Sequence, residues 1–397
     1  MVYIHINKCN SAIVLRSDSK MSDLPSDIEE EVLSRLPVTS LGKLRLTCKK
    51  WNTLTKDESF LKKQRKKGTE MVMMLGHKVS LMSFDLLNSL SIERIGNLNA
   101  DGVYISEVIH CEGLFLCITT KDKEDDSSSL FVLNPLLGQT KWIEPMKSCC
   151  QICENYAFGY DKEEKIHKIL RFVNEYYSNG NRVCEFGVYS LQNSSSWKVV
   201  DDFAPDWSIS YNHSGLSLKG NTYWYAQERN RPGRIPQNNP DFLLSFDFTT
   251  ERFGPRLPLP FHASFEDTVT LSSVREEQLV VLFHNFYASF IKIWITNKIE
   301  PNAVSWDNLF LDVDLERVGI CLQVSSFAGS FFVDEEKKVA VVLYKEREYV
   351  GSLTSNIVYV IGNKRCFKVN LGESLDKGYR PFVCSYVPSL VRIRNTA

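Results

Sequence analysis

The sequence has almost no net charge: over 397 residues, 47 Lys and Arg stand against 48 Asp and Glu. Such a balance gives no chain-wide field to draw in nucleic acid or an anionic membrane, and neither is expected as a partner. Long apolar runs are missing from the first 20 residues, MVYIHINKCNSAIVLRSDSK, where Asn, Lys and Ser interrupt every apolar stretch. No signal core or membrane span fits there, so export is not expected, and residues 1–20 read as a poorly ordered extension with Met21 as an alternative start. Paired cysteine spacing is missing too. The 11 cysteines are odd in number and irregularly placed, as in CEGLFLC, which fits a reducing compartment and a location in the nucleus and/or cytoplasm.

Chemistry is equally hard to place. Cys149, Cys150 and Cys153 offer three thiols, but no second pair or nearby His completes the four ligands a zinc site needs. His110 and Cys111 are adjacent on a strand pattern, which points their side chains to opposite faces and argues against a nucleophilic pair. No Gly-rich phosphate cradle and no GxSxG elbow occur. The acidic pairs Asp125 with Asp126 and Glu335 with Glu336 sit in turns among Lys or Ser, where carboxylates stay solvated instead of acquiring the shifted pKa of a general acid or base. The expectation is no catalytic residue, no metal and no cofactor.

What the sequence does have is one very regular helix near its start. In DLPSDIEEEVLSRLP, Ser26 followed by Glu29 is a capping-box signature, and Asp27, Glu29, Glu30 and Glu31 lie where the helix dipole favours negative charge. Ile28, Val32, Leu33 and Leu36 form its apolar stripe, and Pro37 stops it. Leu41, Leu44, Cys48, Trp51 and Leu54 then recur at helical steps, with an interruption expected near Thr47 and Phe60 and Leu61 closing the set. A helical segment of this size seldom holds a stable core alone, and the wide stripe with Leu24 and Pro25 marks a surface for another protein. The alternative is a helical hairpin packed on the rest of the chain.

The stretch DLPSDIEEEVLSRLPVTSLGKLRLTCKKWNTLTKDESF resembles the F-box motif, with two Leu-Pro pairs, a Ser-Leu after the second, and Cys-Lys-x-Trp before a Phe. The resemblance implies a three-helix unit over 21–66 that binds a Skp-type adaptor and, through it, a cullin scaffold and a ubiquitin-conjugating enzyme. Leu24, Pro25, Ile28, Leu33, Leu36 and Pro37 would then touch the adaptor, while Val32, Leu44, Cys48 and Trp51 hold the helices together. Thr47 departs from the Val usual at its position.

After the basic run KKQRKK, residues 62–67, read as a solvated helix end with a nuclear address as the alternative, the character changes. β-Branched and aromatic residues alternate with polar turns, as in AFGYDKEEKIHKILRF and FFVDEEKKVAVVLY. Turn centres near Asn134, Asp161, Asn193, Lys219, Thr249, Arg275, Glu335 and Asn363 recur at roughly 30-residue intervals with one wider gap, which favours a propeller over a sandwich. Trp142, Trp197 and Trp306 follow polar steps as though one large ring packs at equivalent places. The predicted fold class is therefore α+β over the whole chain: a small helical unit followed by a large all-β, propeller-like domain over 67–397. CEGLFLC, LNPLLGQTKWI, FGYD, LKGNTYWYA and FDFTTERFGPRLPLP are similar to successive motifs of the plant F-box-associated, kelch-like interaction domain. That resemblance implies a receptor that holds an unknown protein substrate for ubiquitination and makes no bonds itself.

Aromatic and Arg residues suit interface anchors, so Trp207, Tyr211, Arg229, Arg231 and Arg234 are the candidate client-binding residues. Two other functions fit the pattern. A lectin-like propeller would stack Tyr223, Trp224 and Tyr225 on a sugar, and a transcriptional regulator would use the basic run.

Overall fold

The computed structural model describes residues 25–34, 36, 41, 44–45, 48–55, 57, 59–60, 70–85, 91–98, 102–119, 128–146, 154–176, 182–192, 196–200, 205–210, 213–229, 240–264, 267–285, 287, 289–306, 308–317, 329–347, 354–362, 366–374 and 381–393. The chain divides into two compact units, Met1–Lys67 and Gly68–Ala397. In the first, the described residues include helix α1 (Ser26–Ser34) and helix α2 (Lys49–Leu54), with Leu41, Leu44 and Arg45 also helical between them.

The second unit is a six-bladed β-propeller built from four- and five-stranded antiparallel sheets. Blade 1 combines Phe382–Ser385 from the C-terminus with Glu70–Leu75, Lys78–Asp85 and Ser91–Asn97. Blade 2 is Ile105–Cys111, Leu114–Thr119, Leu130–Asn134 and Gln139–Ile143; blade 3 is Asn155–Asp161, Ile166–Tyr176, Arg182–Ser190 and Lys198–Val199. Blade 4 holds Trp207–Ser208 and Leu216–Leu218, both paired with Asn221–Glu228, then Asp241–Asp247 and Arg252–Phe253. Blade 5 is Thr268–Val274, Gln278–Asn285, Phe290–Ile295 and Asn308–Asp314, and blade 6 is Ser330–Asp334, Val339–Arg347, Thr354–Gly362 and Cys366–Ser374. The first strands of successive blades neighbour one another around the whole circle, which defines the axis.

Antiparallel succession sorts the connections onto two ends. One end carries the links from first to second and from third to fourth strand, and most are tight. Glu112-Gly113 and Lys219-Gly220 take positive φ at both positions (47° and 76°; 52° and 80°), the mirror-image turn whose twist matches a hairpin. Asn134, Asp161, Asp247 and Asp334 each end a strand and accept backbone N–H bonds from the turn that follows, so the short polar side chain replaces a missing strand partner. The other end carries the connections between blades and between second and third strands, most of them longer, although in blade 1 Gly76 and His77 alone join the second strand to the third.

Of the eight turn centres expected from the sequence, Asn134, Asp161, Lys219, Thr249, Arg275 and Glu335 lie on the tight-turn end, while Asn193 and Asn363 lie outside the described residues; the cadence of the six is the half-blade, and a full blade spans about twice that interval. The wide gap between Arg275 and Glu335 also has a cause: in blade 5 the third and fourth strands are joined by an inserted hairpin, Lys298–Glu300 with Ala303–Ser305, in place of a tight turn.

The apolar core lies between blades. One buried cluster joins blades 2 and 3 through Leu116, Val132, Phe158 and Ile169, and another joins blades 3 and 4 through Phe172, Trp224 and Phe246. Polar clamps cross the same gaps. Ser272 donates to Phe331 O at 2.6 Å, Thr222 to Phe158 O at 3.2 Å, and the buried Lys141 ammonium to Leu191 O at 2.8 Å. Trp197 and Trp306 fill equivalent places: each stands just before the outer strand of its blade and donates its indole N–H to the segment leaving the preceding blade, Glu144 O and Pro258 O, both at 2.8 Å. Trp142 differs. It lies on an outer strand, more than half exposed, with its ring tilted on Phe131.

The ring is closed by the chain's own end. Val383 pairs with Met73 in blade 1, and Ser330 of blade 6 both donates to Val383 O and accepts from Val383 N. Beyond the strand, the tail runs over blade 2: Tyr386 stacks on Phe115, Asn134 donates to Ser389 O and Val391 O, and Ile393 enters the core between blades 2 and 3. A side chain at Gly113 would lie 2.4 Å from Val387 O, so this turn needs glycine for both its φ and its clearance. Replacing Val383 with Asp buries a charge at the seam and is expected to cost about 3 kcal/mol or more, whereas Val199→Ala on an exposed outer strand stays within about 0.5 kcal/mol. Urea unfolding of the two variants against the parent measures both.

Candidate functional site

The helical unit begins with Pro25, which is exposed and whose carbonyl accepts the first helical bond from Glu29 N at 3.0 Å. Ile28, the third residue of α1, is 46% exposed. Pro25 and Ile28 thus form an apolar pair open to solvent at the start of α1.

Glu29 does something other than complete a capping box. Its carboxylate is fully buried and accepts from the Trp51 indole N–H, while the Lys50 ammonium pairs with its second oxygen. A buried carboxylate needs compensation, and α2 supplies an indole donor and an ammonium counter-charge, so Glu29 fixes α1 to α2. Arg45 makes a parallel tie, donating to Thr55 Oγ1 at 2.9 Å and to Thr55 O at 3.0 Å from a buried position. The expected break falls at Cys48, whose extended φ of −149° precedes α2.

The expected adaptor contacts therefore divide. Pro25 and Ile28 are open, and Leu36 is half-buried. Leu33 is fully buried and belongs with Leu41, Leu44 and Phe60 in the interior, which corrects its expected place on the partner face. Its register explains this: it lies five residues beyond Ile28, on a different side of the helix. Val32, Cys48 and Trp51 are half-buried and Leu44 is buried. Leu24 and Pro37 lie outside the described residues.

On the propeller, the expected client residues also change role. Trp207 is only 4% exposed and packs edge-on against Phe172 and face-tilted on Phe253, so it is a core ring of blades 3 and 4 and not an exposed anchor. Arg229 is half-buried and ties down the same edge, donating to Asn174 O at 2.6 Å and Trp207 O at 3.3 Å. Tyr211, Arg231 and Arg234 lie outside the described residues. Tyr223, Trp224 and Tyr225, the rings of the lectin alternative, are 1%, 1% and 6% exposed and cannot stack on a surface sugar.

The chain matches the description "F-box domain" over residues 21–63 and "F-box associated beta propeller domain" over residues 70–393. It belongs to the F-box proteins. Within that family it is 52% identical over 400 residues to F-box/kelch-repeat protein At3g16740 of Arabidopsis thaliana, covering 94% of this chain and 100% of the relative. F-box protein At5g42460 and F-box protein At2g17830, from the same plant, are 47% and 45% identical, each covering 94% of this chain and 98% of its own.

Burial mutes several thiols and imidazoles of this F-box protein. Cys111, Cys117 and Cys384 all have thiol pKa values pushed up by desolvation, which leaves them inert. Among the described residues no group of three or more His, Cys, Asp or Glu could hold a metal ion; Cys149, Cys150 and Cys153 fall outside them. His110, His167 and His284 are each held down at about 4, below the ordinary imidazole value of 6.5, because burial penalises the cation.

These histidines set an acid limit on stability. The unfolded chain takes up their protons near pH 6.5 and the folded chain only near pH 4, so stability falls as pH is lowered through that window. Each histidine is expected to remove about 2 kcal/mol between pH 7.5 and pH 5. His167, fully buried between Phe158 and Tyr160, gives the cleanest test. His167→Phe should shallow the pH dependence of the urea midpoint by about a third of the histidine contribution.

Proposed function

We propose that this F-box protein is the substrate-recognition subunit of an SCF-type ubiquitin ligase, acting in the nucleus and/or cytoplasm. Its three-helix F-box, with Leu41, Leu44 and Arg45 marking the helix between α1 and α2, binds a Skp-type adaptor, which links it to a cullin scaffold. The long-loop end of the propeller holds a protein client. The chain itself forms no bond; tethering raises the effective concentration of the client's lysines near the charged conjugating enzyme.

The observation that carries the reading is the exposure of Pro25 and Ile28 at the head of α1, inside the matched F-box. Solvent-facing apolar groups there gain roughly 1.5 to 3 kcal/mol each on full burial by a partner. Leu24, Leu36 and Pro37 extend that surface in this reading.

Ile28→Asp in the full chain is expected to weaken capture of a Skp-type adaptor by tenfold or more, which surface plasmon resonance would register, while Val199→Asp on the propeller's outer strand leaves it unchanged. Undiminished adaptor binding by the Ile28 variant, with α1 still folded by circular dichroism, refutes this interface.

A further inference from the structure

The joint between α1 and α2 is made of unequal halves. Glu29 is fully buried, and its two carboxylate oxygens are answered differently. Oε1 accepts the indole N–H of Trp51. Oε2 is compensated by charge, the Lys50 ammonium beside it, and by no hydrogen bond among the described residues. The Lys50 side chain, by contrast, is 46% exposed. The acidic half of the pair is sealed inside the helical unit, and the basic half is open to reagents in solvent.

Lys50 stands where its own helix does not favour it. It is the second residue of α2, in a first turn that holds no acidic residue, and a cation there faces the positive end of the helix dipole. Glu29 is what makes the position tolerable. Lys49, its exposed neighbour, lies in the same turn and serves as an internal comparison.

Such a pair fails asymmetrically. Replacing both charges leaves a neutral contact at little cost, whereas removing one leaves the other buried and uncompensated, which is strongly destabilising. A lysine loses its charge in one covalent event, acylation of Nζ. Ile28 directly precedes Glu29 in α1, so whatever loosens Glu29 from α2 also moves the exposed apolar pair that Ile28 forms with Pro25. The charge on Lys50 and the placement of that surface are therefore linked.

We propose that Lys50 is an acylation site, and that its modification by a small acyl thioester frees α1 from α2 and withdraws the exposed pair from a protein adaptor. Nζ, once it has given up one proton to solvent, attacks the thioester carbonyl. A C–N bond forms, the C–S bond breaks, and a second proton leaves nitrogen with the departing thiolate, which becomes a thiol. The amide is neutral, so Glu29 Oε2 is left without its counter-charge. The effect on the adaptor rests on the reading above, whereas release of α1 does not.

The test uses the full chain labelled with fluorotryptophan, its Trp51 signal assigned through Trp51→Phe and followed by fluorine NMR, with surface plasmon resonance on a Skp-type adaptor as second readout. Nε-acetyl-lysine installed at position 50, or Lys50→Gln, should move the Trp51 signal toward its unfolded-chain position and weaken adaptor binding about tenfold or more. Lys50→Arg keeps the charge and should keep the Trp51 signal; Lys49→Gln should change neither readout. Glu29→Gln combined with Lys50→Gln should restore the signal and the binding, because no buried charge is then left over. Mass mapping of peptides from the chain isolated from its own cells should find the acyl group on Lys50. A moved Trp51 signal with unchanged adaptor binding supports release of α1 and overturns the adaptor surface instead. An unmoved signal in the acetylated chain, no recovery in the double variant, or a native chain without acylated Lys50 overturns the assignment.

Discussion

The pairing of Phe382–Ser385 with Glu70–Leu75 is the constraint on which the β-domain rests. Six blades can pack side by side in a ring only if the first and last are held together, and here one blade is assembled from both ends of the domain. The closing strand brings Val383 into a core with Met71, Met73 and Met82, and the serine clamp from blade 6 satisfies its backbone on the axial side. Closure also removes two sheet faces that would otherwise be open to water. The cost of bringing residues so distant in sequence together grows only slowly with loop length, so one well-packed strand is enough to hold the ring.

Closure explains why the polar interior is tolerated. Arg171 is fully buried, yet its guanidinium meets Glu154 at 2.6 Å and Glu185 at 3.2 Å, and Lys168 meets Asp161 at 2.7 Å and Glu251 at 2.9 Å. Buried pairs of this kind add little net stability over apolar packing, but leave a costly orphan charge if a partner is withdrawn; the Arg171 pairs and Lys168–Asp161 hold the strands of blade 3 together, and Lys168–Glu251 crosses to blade 4. They act as register marks: Lys168 on blade 3 finds its second carboxylate and the Phe248 carbonyl on blade 4, which fixes one relative setting of the two sheets.

Much of this was legible in the residues. Alternation and turn chemistry gave hairpins, and the turn cadence gave a repeat, because Asn, Asp and Gly at strand ends are dictated by local backbone geometry. Blade number was not, since the half-blade and the full blade carry the same local signal and only strand pairing separates them. Trp207 misled because composition alone cannot tell a core ring from an anchor: its neighbours Asp206 and Ser208 are polar, while the side chain itself turns inward to Phe172 and Phe253. Glu29 misled in the opposite sense. The Ser26 and Glu29 spacing satisfies a local cap rule, but a long-range indole and ammonium compete for the same carboxylate and win through burial. The contact of Glu276 with His110 left no trace in the sequence, for the two are 166 positions apart and meet only because blades 2 and 5 are opposite.

The two ends of the propeller thus answer to different demands. Tight turns with left-handed residues and Asx bonds concentrate at one end, where an insertion would break a backbone bond already made. The other end carries the connections between blades, whose length is free to vary because the strands on either side are fixed from elsewhere. Blade 4 shows how far that freedom reaches. Its inner strand is interrupted between Ser208 and Leu216, and the blade survives because Asn221–Glu228 remains paired along its whole outer side with Asp241–Asp247. A strand lost from the inner edge of a closed ring opens space toward the axis while the frame stays intact. Rigidity at one end is therefore what permits irregularity at the other.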